Sequence, residues 1–279
     1  MTENKNKKTK LLYIWRFLKY IAVGYFAAAF VIVSFQRQLL YHPFEQMLYD
    51  PDKMGLEVVS YVTSQNRQIE TWYCPAQSED FPTFVFFHGN AGNVSYSARE
   101  QVFFCSHGYG FLGAEYSGFY DRTYKNTEES IYNDARAAIE WLRDTHSIPE
   151  QNLILYGESL GTGVASQMAL EYKQAKAVIL KSPFTNIPEV ANHQMPHLRP
   201  FTGLILDRYD TLSRAAHIRQ PVLVVHGDRD TVVPIHLGKK AFQALGASEK
   251  KFSTLKGGNH NDLVDFGLLP EIKGFVEGL

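Results

Sequence analysis

Residues 152–163, NLILYGESLGTG, carry a short apolar run directly into a Gly-x-Ser-x-Gly motif, and a helical pattern follows at once. Between a strand and a helix, this motif predicts a sharp turn that exposes its serine above the sheet. Gly157 and Gly161 have no Cβ, so the strand and the helix can pass closely. The positive start of the helix would stabilise negative charge on a bound ester oxygen. Ser159 is therefore the candidate nucleophile, although an ordinary glycine-rich turn can show the same motif.

Length and composition are compatible with one large α/β domain. The chain has 279 residues and 45% apolar content, enough to fill a sizeable core. Its net charge of −1 gives no reason to expect nucleic acid as a partner. Cys74 and Cys105 have neither a framework nor a metal-type spacing. They could pair in an oxidising compartment, but buried free thiols are the preferred expectation.

The N-terminus combines a basic head, residues 1–10, with an apolar segment, residues 11–35. The uninterrupted part, residues 20–35, is shorter than the roughly 20 residues that a spanning helix needs. Extension to Phe17 closes the gap, because Lys19 can reach the headgroups with its amine. No polar face interrupts the segment, as expected of a helix in lipid. The sequence predicts a transmembrane helix.

Three interpretations of this helix compete. Ala27, Ala28 and Ala29 could form the cleavage site of a signal peptide, but the chain stays apolar beyond them. A buried core helix is the second alternative, and an uncleaved signal anchor is the preferred one. Four lysines precede the helix and only Arg37 follows closely, so residues 1–10 are expected in the cytoplasm. The remaining domain would lie on the far side of the membrane, in the periplasm if the source is bacterial.

The rest of the chain predicts alternating strands and helices after an extended linker at residues 36–52. Residues 56–62 and 69–73 alternate in polarity and predict an antiparallel hairpin at a sheet edge. Helices are expected at residues 94–106 and after a cap at Asn126 or Thr127. Further apolar runs predict strands at residues 83–87, 111–116, 177–180, 222–225 and 251–255. This order is typical of a mainly parallel sheet with helices on both faces.

Loops after these strands supply candidate partners for Ser159. The small residues of HGNAGN, residues 88–93, would let a backbone N–H of Asn90 or Ala91 face a site, as an oxyanion hole requires. Asp230 follows a strand and is the candidate acid, with Asp228 as its alternative.

His260 lies in a glycine-flanked loop, which favours a catalytic role over that of a packed core histidine. The chain order Ser159, Asp230, His260 is that of the α/β-hydrolases.

Residues 183–220 form a long insert at the carboxyl ends of the strands, where a lid is expected. A weak helical pattern occurs at residues 204–209. His193 and His197 have the spacing of a helical metal pair, but Pro196 breaks that helix and no third ligand is apparent. No metal site is predicted.

These motifs resemble the membrane-anchored serine esterases of the α/β-hydrolase-domain family. The resemblance covers residues 36–279 and rests on QLLYHP (38–43), HGNAGN (88–93), GESLG (157–161), SPFT (182–185), HGDRD (226–230) and GNH (258–260). It implies that Ser159 is the nucleophile, Asp230 the orienting acid and His260 the base. The N–H groups of Leu160 and of Asn90 or Ala91 would form the oxyanion hole. Relatives usually carry a basic, glycine-rich turn after the fourth strand, where this chain has EYSGF (115–119).

The expected activity is hydrolysis of an ester or thioester through an acyl-serine intermediate, without a cofactor. Family members include lipases acting on lysophospholipids and thioesterases acting on acylated proteins. The expected partners are therefore an acyl substrate and the membrane. A serine peptidase and a non-catalytic membrane-tethered binding protein are the alternatives.

Overall fold

The computed structural model describes the backbone of residues 2–120 and 124–279, with side chains from Lys10 onward in these ranges. The first element is the long helix α1 (Thr2–Ser34). Its segment Lys10–Ser34 has a mean hydropathy of 1.8 and is long and apolar enough to cross a membrane. Only 6% of the apolar window is buried, which argues against a buried core helix. Most side chains of the predicted basic head lie outside the described residues.

A mainly parallel sheet forms the centre of the domain, as predicted. The described strands are β1 (His42–Pro43), β2 (Glu57–Val62), β3 (Gln68–Cys74), β4 (Thr83–Phe87), β5 (Ala91–Gly92), β6 (Gly110–Ala114), β7 (Leu153–Glu158), β8 (Ala177–Lys181), β9 (Val222–Gly227) and β10 (Lys250–Leu255). Eight of them pair in the order β10-β9-β8-β7-β4-β6-β3-β2. The strands from β10 to β6 are parallel, and the hairpin β2–β3 is antiparallel at the edge.

Helices cover both faces of this sheet. The remaining helices are α2 (Gln36–Leu40), α3 (Ala98–Ser106), α4 (Glu128–His146), α5 (Leu160–Glu171), α6 (Ile187–Gln194), α7 (Thr211–Ala215), α8 (Ile235–Ala244) and α9 (Leu268–Glu277). Neighbouring strand residues point to opposite faces. Phe86 therefore packs in one apolar cluster with Phe104 of α3, and Val85 in the other with Val164 of α5. The carboxyl ends of β4, β7, β9 and β10 lead into the loops that carry the candidate site.

The predicted extended linker at residues 36–52 is wrong in its first part. Residues 36–40 form α2, and β1 pairs with β5, which lies within the predicted oxyanion loop at residues 88–93. His42 N donates to Asn90 O at 2.8 Å, and Asn90 Nδ2 donates to Leu40 O at 2.8 Å. The prolines indicated an extended chain because their local pattern does not reveal a pairing partner far along the sequence. This segment therefore helps to hold the loop beside Ser159.

The insert at residues 183–220 contains α6, a 3-10 helix (Pro196–Leu204) and α7. The helical pattern predicted at residues 204–209 is wrong, since the 3-10 helix ends at Leu204 and Tyr209 has a left-handed φ of 46°. Leu206 is 64% exposed while Tyr209 is fully buried, so the apolar residues of this stretch do not share one packed face.

The last turns of α1 and the start of α2 pack against this insert. Tyr25 Oη donates to His197 O at 2.7 Å, and the Tyr25 and Phe201 rings lie 5.4 Å apart. The Arg37 guanidinium donates to both carboxylate oxygens of Asp207, at 2.8 and 3.1 Å. The end of the candidate membrane helix is therefore part of the packed domain.

Cys74 of β3 and Cys105 of α3 form a disulfide, so the expectation of free thiols is wrong. Their Cα atoms lie 6.3 Å apart, within the range that a disulfide spans. Pairing in an oxidising compartment was the less favoured alternative, because no local pattern links two cysteines 31 positions apart and only the packing of α3 beside the sheet brings them together.

Candidate active site

The turn between β7 and α5 holds Ser159 in a strained backbone conformation. Its φ of 51° and ψ of −117° lie in a region that costs about 1–3 kcal/mol. A Cβ on Gly157 would collide with the Gly161 carbonyl, and one on Gly161 with the Phe87 carbonyl. Ser159 N donates to Lys181 O at 2.9 Å. The glycines therefore permit the close passage of strand and helix that the motif predicts.

Ser159, His260 and Asp230 lie in one hydrogen-bonded row. His260 Nε2 is 3.0 Å from Ser159 Oγ, and His260 Nδ1 is 2.7 Å from Asp230 Oδ2. With the Nδ1 proton directed at the carboxylate, Nε2 can accept the serine proton. The alternative acid, Asp228, instead accepts a hydrogen bond from Gly257 N at 2.7 Å. The structure thus brings the three predicted residues together from three separate loops.

The Asp230 side chain is fully buried and surrounded by hydrogen-bond donors. Its Oδ1 accepts from the N–H groups of Val232 and Val233 at 2.9 and 2.8 Å, and its Oδ2 faces His226 Nε2 at 3.3 Å as well as His260. Burial alone would raise the pKa of Asp230, but hydrogen bonds from His226 and His260 outweigh it and hold this pKa well below its usual range. The carboxylate therefore stays ionised at neutral pH.

The oxyanion candidates lie around Ser159. Asn90 and Leu160 line the same cavity as Ser159, and Leu160 is the first residue of α5, where helix N–H groups lack intrahelical partners. A Cβ on Gly89 would lie 3.6 Å from the Ser159 Cβ, so the loop passes directly beside the serine. Ala91 lies in β5, paired with β1. This placement favours Asn90 over Ala91 as the second donor.

The buried carboxylate of Glu115 holds the loop at residues 88–93 in place. Glu115 Oε1 lies 3.0 Å from His88 Nε2, and Glu115 Oε2 accepts from Val94 N at 2.6 Å. Tyr116 Oη donates to His88 O at 3.1 Å. Glu115 and Tyr116 begin the turn in which this chain departs from the esterases that it resembles. The departure supplies polar groups that fix both ends of the loop at residues 88–93.

A second buried cluster lies under the serine turn. Lys181 Nζ is 3.0 Å from Glu100 Oε1 and 2.9 Å from Glu158 Oε1. Burial raises the pKa of Glu100, and it would lower the pKa of Lys181, but the two carboxylates outweigh burial and hold the lysine pKa well above its usual range. The Lys181 ammonium is thus the shared ion-pair partner of the Glu100 and Glu158 carboxylates, next to Ser159.

A largely apolar cavity of about 310 Å³ opens beside Ser159. This volume is at the lower end of the range of small-molecule sites. Its walls come from α1 and α2, from the insert, and from the loop after Asp230. The apolar lining includes Ala29, Ile32, Val33, Leu40, Phe184, Ile187, Val190, Met195, Leu198, Phe201, Ile205, Val232 and Val233.

Comparison with known proteins identifies the family. Residues 93–261 match the model of the prolyl oligopeptidase family, Peptidase_S9. The chain is also 33% identical over 254 residues to the uncharacterized protein Rv2307c of Mycobacterium tuberculosis, a match that covers 88% of this chain and 89% of that protein. The chain belongs to the prolyl oligopeptidase family. It has the α/β-hydrolase fold and is a hydrolase of that superfamily.

A lipase occurs among the sequence relatives of this prolyl oligopeptidase family member, and an esterase occurs among its structural neighbours. Lysophosphatidylserine lipase ABHD12 of Danio rerio is 31% identical over 228 residues, which is 72% of this chain and 59% of the lipase. The chain thus spans less than two thirds of the length of that relative. The esterase Pf2001 of Pyrococcus furiosus superposes with a TM-score of 0.68 at 16% identity, over 85% of this chain and 97% of the esterase. At that identity the superposition shows the fold alone.

Several polar groups of this family member were not singled out from the sequence. His226 lies near the carboxyl end of β9 and Glu115 directly follows β6, so the position rule that found Asp230 could have found them. Lys181 ends an apolar run that predicts a buried strand. Because a lysine is rarely buried unless it is paired, this position predicts a buried acidic partner. His193 lies beside His236, with ring centroids 6.2 Å apart. Among the described side chains, those of residues 10–120 and 124–279, no group of three His, Cys, Asp or Glu residues is arranged to hold a metal ion.

Proposed function

We propose that this protein is a serine esterase that cleaves carboxylic esters or thioesters of lipid-like or acylated substrates through an acyl-serine intermediate. The proposal rests on the hydrogen-bonded row of Ser159, His260 and Asp230, with contacts of 3.0 and 2.7 Å, beside an apolar cavity. Ser159 is the nucleophile, His260 the general base and Asp230 the residue that holds the imidazole tautomer.

The reaction proceeds in two half-reactions. His260 Nε2 takes the Ser159 proton while Oγ attacks the carbonyl carbon, and the imidazolium then protonates the leaving alcohol or thiol as its bond to that carbon breaks. A water molecule, deprotonated by His260, releases the acid and restores Ser159. The N–H groups of Leu160 and Asn90 stabilise the tetrahedral oxyanion, each by about 3 kcal/mol in the transition state. These steps require no cofactor.

Peptide hydrolysis is the second candidate, because the family model is that of peptidases and the same residues can cleave amides. The cavity lining favours the ester. Of its charged groups, Arg37 and Asp207 are paired with each other at 2.8 Å, so the cavity mainly offers hydrocarbon contacts. An acyl chain fits these contacts better than a peptide backbone, whose polar groups would lose their hydrogen bonds to water.

The test compares p-nitrophenyl esters of short and long chains with peptide p-nitroanilides, using the full-length protein in detergent. We expect ester turnover and labelling of Ser159 by a fluorophosphonate. Ser159→Ala should lose both without a change in melting temperature. Undiminished ester turnover by that variant would refute the assignment, and faster turnover of the anilides would identify a peptidase.

We further propose that α1 is an uncleaved signal anchor, with residues 1–10 in the cytoplasm and the hydrolase domain across the membrane. The Cys74–Cys105 disulfide supports this orientation, since disulfides persist mainly in oxidising compartments. Reporter proteins fused after residue 36 provide the test. Activity of a cytoplasm-specific reporter alone would contradict the orientation.

A further inference from the structure

Helix α1 has two different sides near its end, although both are apolar. Ala29 is 3% exposed and Ile32 and Val33 are half-buried, whereas Phe30 and Val31 are 73% and 52% exposed. Positions 29, 32 and 33 share one helical face, and Tyr25 and Gln36 extend it in both directions. Composition alone cannot distinguish the two sides. The difference comes from contact with the insert on one side only.

The buried side forms a wall of the cavity that contains Ser159. Ala29, Ile32 and Val33 line this cavity together with apolar residues of the insert such as Met195. Substrate bound at the serine would therefore contact the candidate membrane helix directly.

Hydrogen bonds from the residues directly after α1 hold this wall of the cavity in place. Gln36 Oε1 accepts from Leu206 N at 2.7 Å, and Gln36 Nε2 donates to Leu204 O at 3.4 Å. The Arg37–Asp207 pair lies one residue further along. Helix and insert are thereby joined at the rim of the cavity as well as at Tyr25 and Phe201.

The cavity also lies at the end of the apolar span. The wall residues Ala29 to Val33 lie within five residues of Ser34, the last residue of the apolar segment. Since an α-helix rises about 1.5 Å per residue, the wall lies within about 8 Å of the end of that segment. Phe35, Leu204 and Leu206, near the Gln36 contacts, are 53%, 56% and 64% exposed. Exposed apolar surface thus extends from the span to the rim of the cavity.

We infer that α1 is part of the substrate site: its buried face, formed by Ala29, Ile32 and Val33, binds the alkyl chain of a membrane-resident ester. The chain passes from the bilayer along the helix to reach Ser159. Transfer of an alkyl chain into water is unfavourable in proportion to its apolar area, and a wall continuous with the span avoids that transfer. This inference rests on the proposed esterase function and assigns the anchor a role in chain-length selectivity.

Matched substitutions on the two sides of the helix test the inference in the full-length protein. Val33→Trp fills the cavity side, and Val31→Trp places the same bulk on the exposed side of the same turn. The readout is the ratio of kcat/KM for p-nitrophenyl laurate to that for p-nitrophenyl acetate. Val33→Trp should lower this ratio about tenfold or more, because the indole occupies space that the laurate chain would fill, and even one methylene in a hydrophobic pocket changes kcat/KM by about tenfold or more. Val31→Trp should leave the ratio unchanged.

Ile32→Ala makes the opposite change and adds no bulk, so it should raise the kcat/KM for palmitate relative to that for laurate. Equal ratios in Val33→Trp and Val31→Trp, together with an unchanged preference in Ile32→Ala, would overturn the role of the helix. If the wild type hydrolyses acetate through Ser159 in that case, the esterase function survives. Wild-type protein that hydrolyses neither ester, or Ser159→Ala that hydrolyses both, overturns the two proposals together.

Discussion

Lys181→Met should destabilise the domain through the charge cluster under the serine turn. The Lys181 and Glu100 side chains are each 4% exposed, and the ammonium lies 3.0 Å from Glu100 and 2.9 Å from Glu158. Methionine keeps much of the apolar volume of the lysine stem but removes the charge. Two carboxylates then face each other without a cation, and the pKa of Glu100, which burial already raises, should rise further.

The expected loss follows from the burial of the cluster. Removal of one partner from a buried ion pair typically costs about 3–5 kcal/mol. The Glu158 side chain is 21% exposed, so water stabilises part of its charge and a loss near the lower limit, about 3 kcal/mol, is expected. For a domain of this size, that loss lowers the melting temperature by roughly 6–12 °C.

Thermal unfolding at neutral pH in detergent measures the effect. The exposed Lys173 provides the control, and Lys173→Met should change stability by less than about 0.5 kcal/mol. Adding Glu100→Gln to Lys181→Met should recover most of the loss, since only the partly solvated Glu158 remains charged. A decrease below about 2 °C in the single variant, or no recovery in the double variant, would refute the electrostatic reasoning.

Three further changes have defined outcomes. Burial raises the pKa of Asp134 to about 6, so its neutral form is favoured on folding and the stability that it contributes at low pH is lost as pH rises through that value. The free energy of unfolding of Asp134→Asn, measured in urea, should therefore rise relative to that of the wild type by about 2–3 kcal/mol between pH 4 and pH 7. A difference between the two proteins that does not change with pH would contradict this. Replacing Cys74 and Cys105 by serine opens a loop of 31 residues and should cost about 3–4 kcal/mol under non-reducing conditions; equal stability would count against the disulfide. Gly161→Ala drives a Cβ into the Phe87 carbonyl and should lower esterase kcat about 100-fold, whereas a near-normal kcat would show that the turn tolerates a side chain.

The parts of the fold that local chemistry determines were predictable from the sequence. Apolar runs marked the parallel strands, and Gly157 and Gly161 marked the turn that holds Ser159. Because parallel strands end at one edge of a sheet, strand order alone placed Asp230 and His260 within reach of the serine. The hydrogen bonds of 3.0 and 2.7 Å agree with that placement.

The parts that depend on distant pairing were not predictable. Residues 36–52 contain prolines and look extended, yet β1 finds its partner in β5. Cys74 and Cys105 meet only because α3 packs on β6, the strand that pairs with β3. The bidentate contact between Arg37 and Asp207 joins residues 170 positions apart. No periodicity in the sequence encodes such a contact, so the packing of α1 on the insert could not have been foreseen.

The docking of α1 also limits how the chain can change by insertion. One residue added between positions 10 and 24 rotates the preceding helix by about 100° and lengthens it by about 1.5 Å, but leaves Tyr25 and Arg37 on their partners. One residue added between Ala29 and Arg37 breaks the docking face into two halves that point in different directions. If α1 is the membrane anchor proposed above, only the bilayer constrains the first part of the helix. The second part must keep its helical phase, its length and its side-chain sizes to fit both the bilayer and the hydrolase domain.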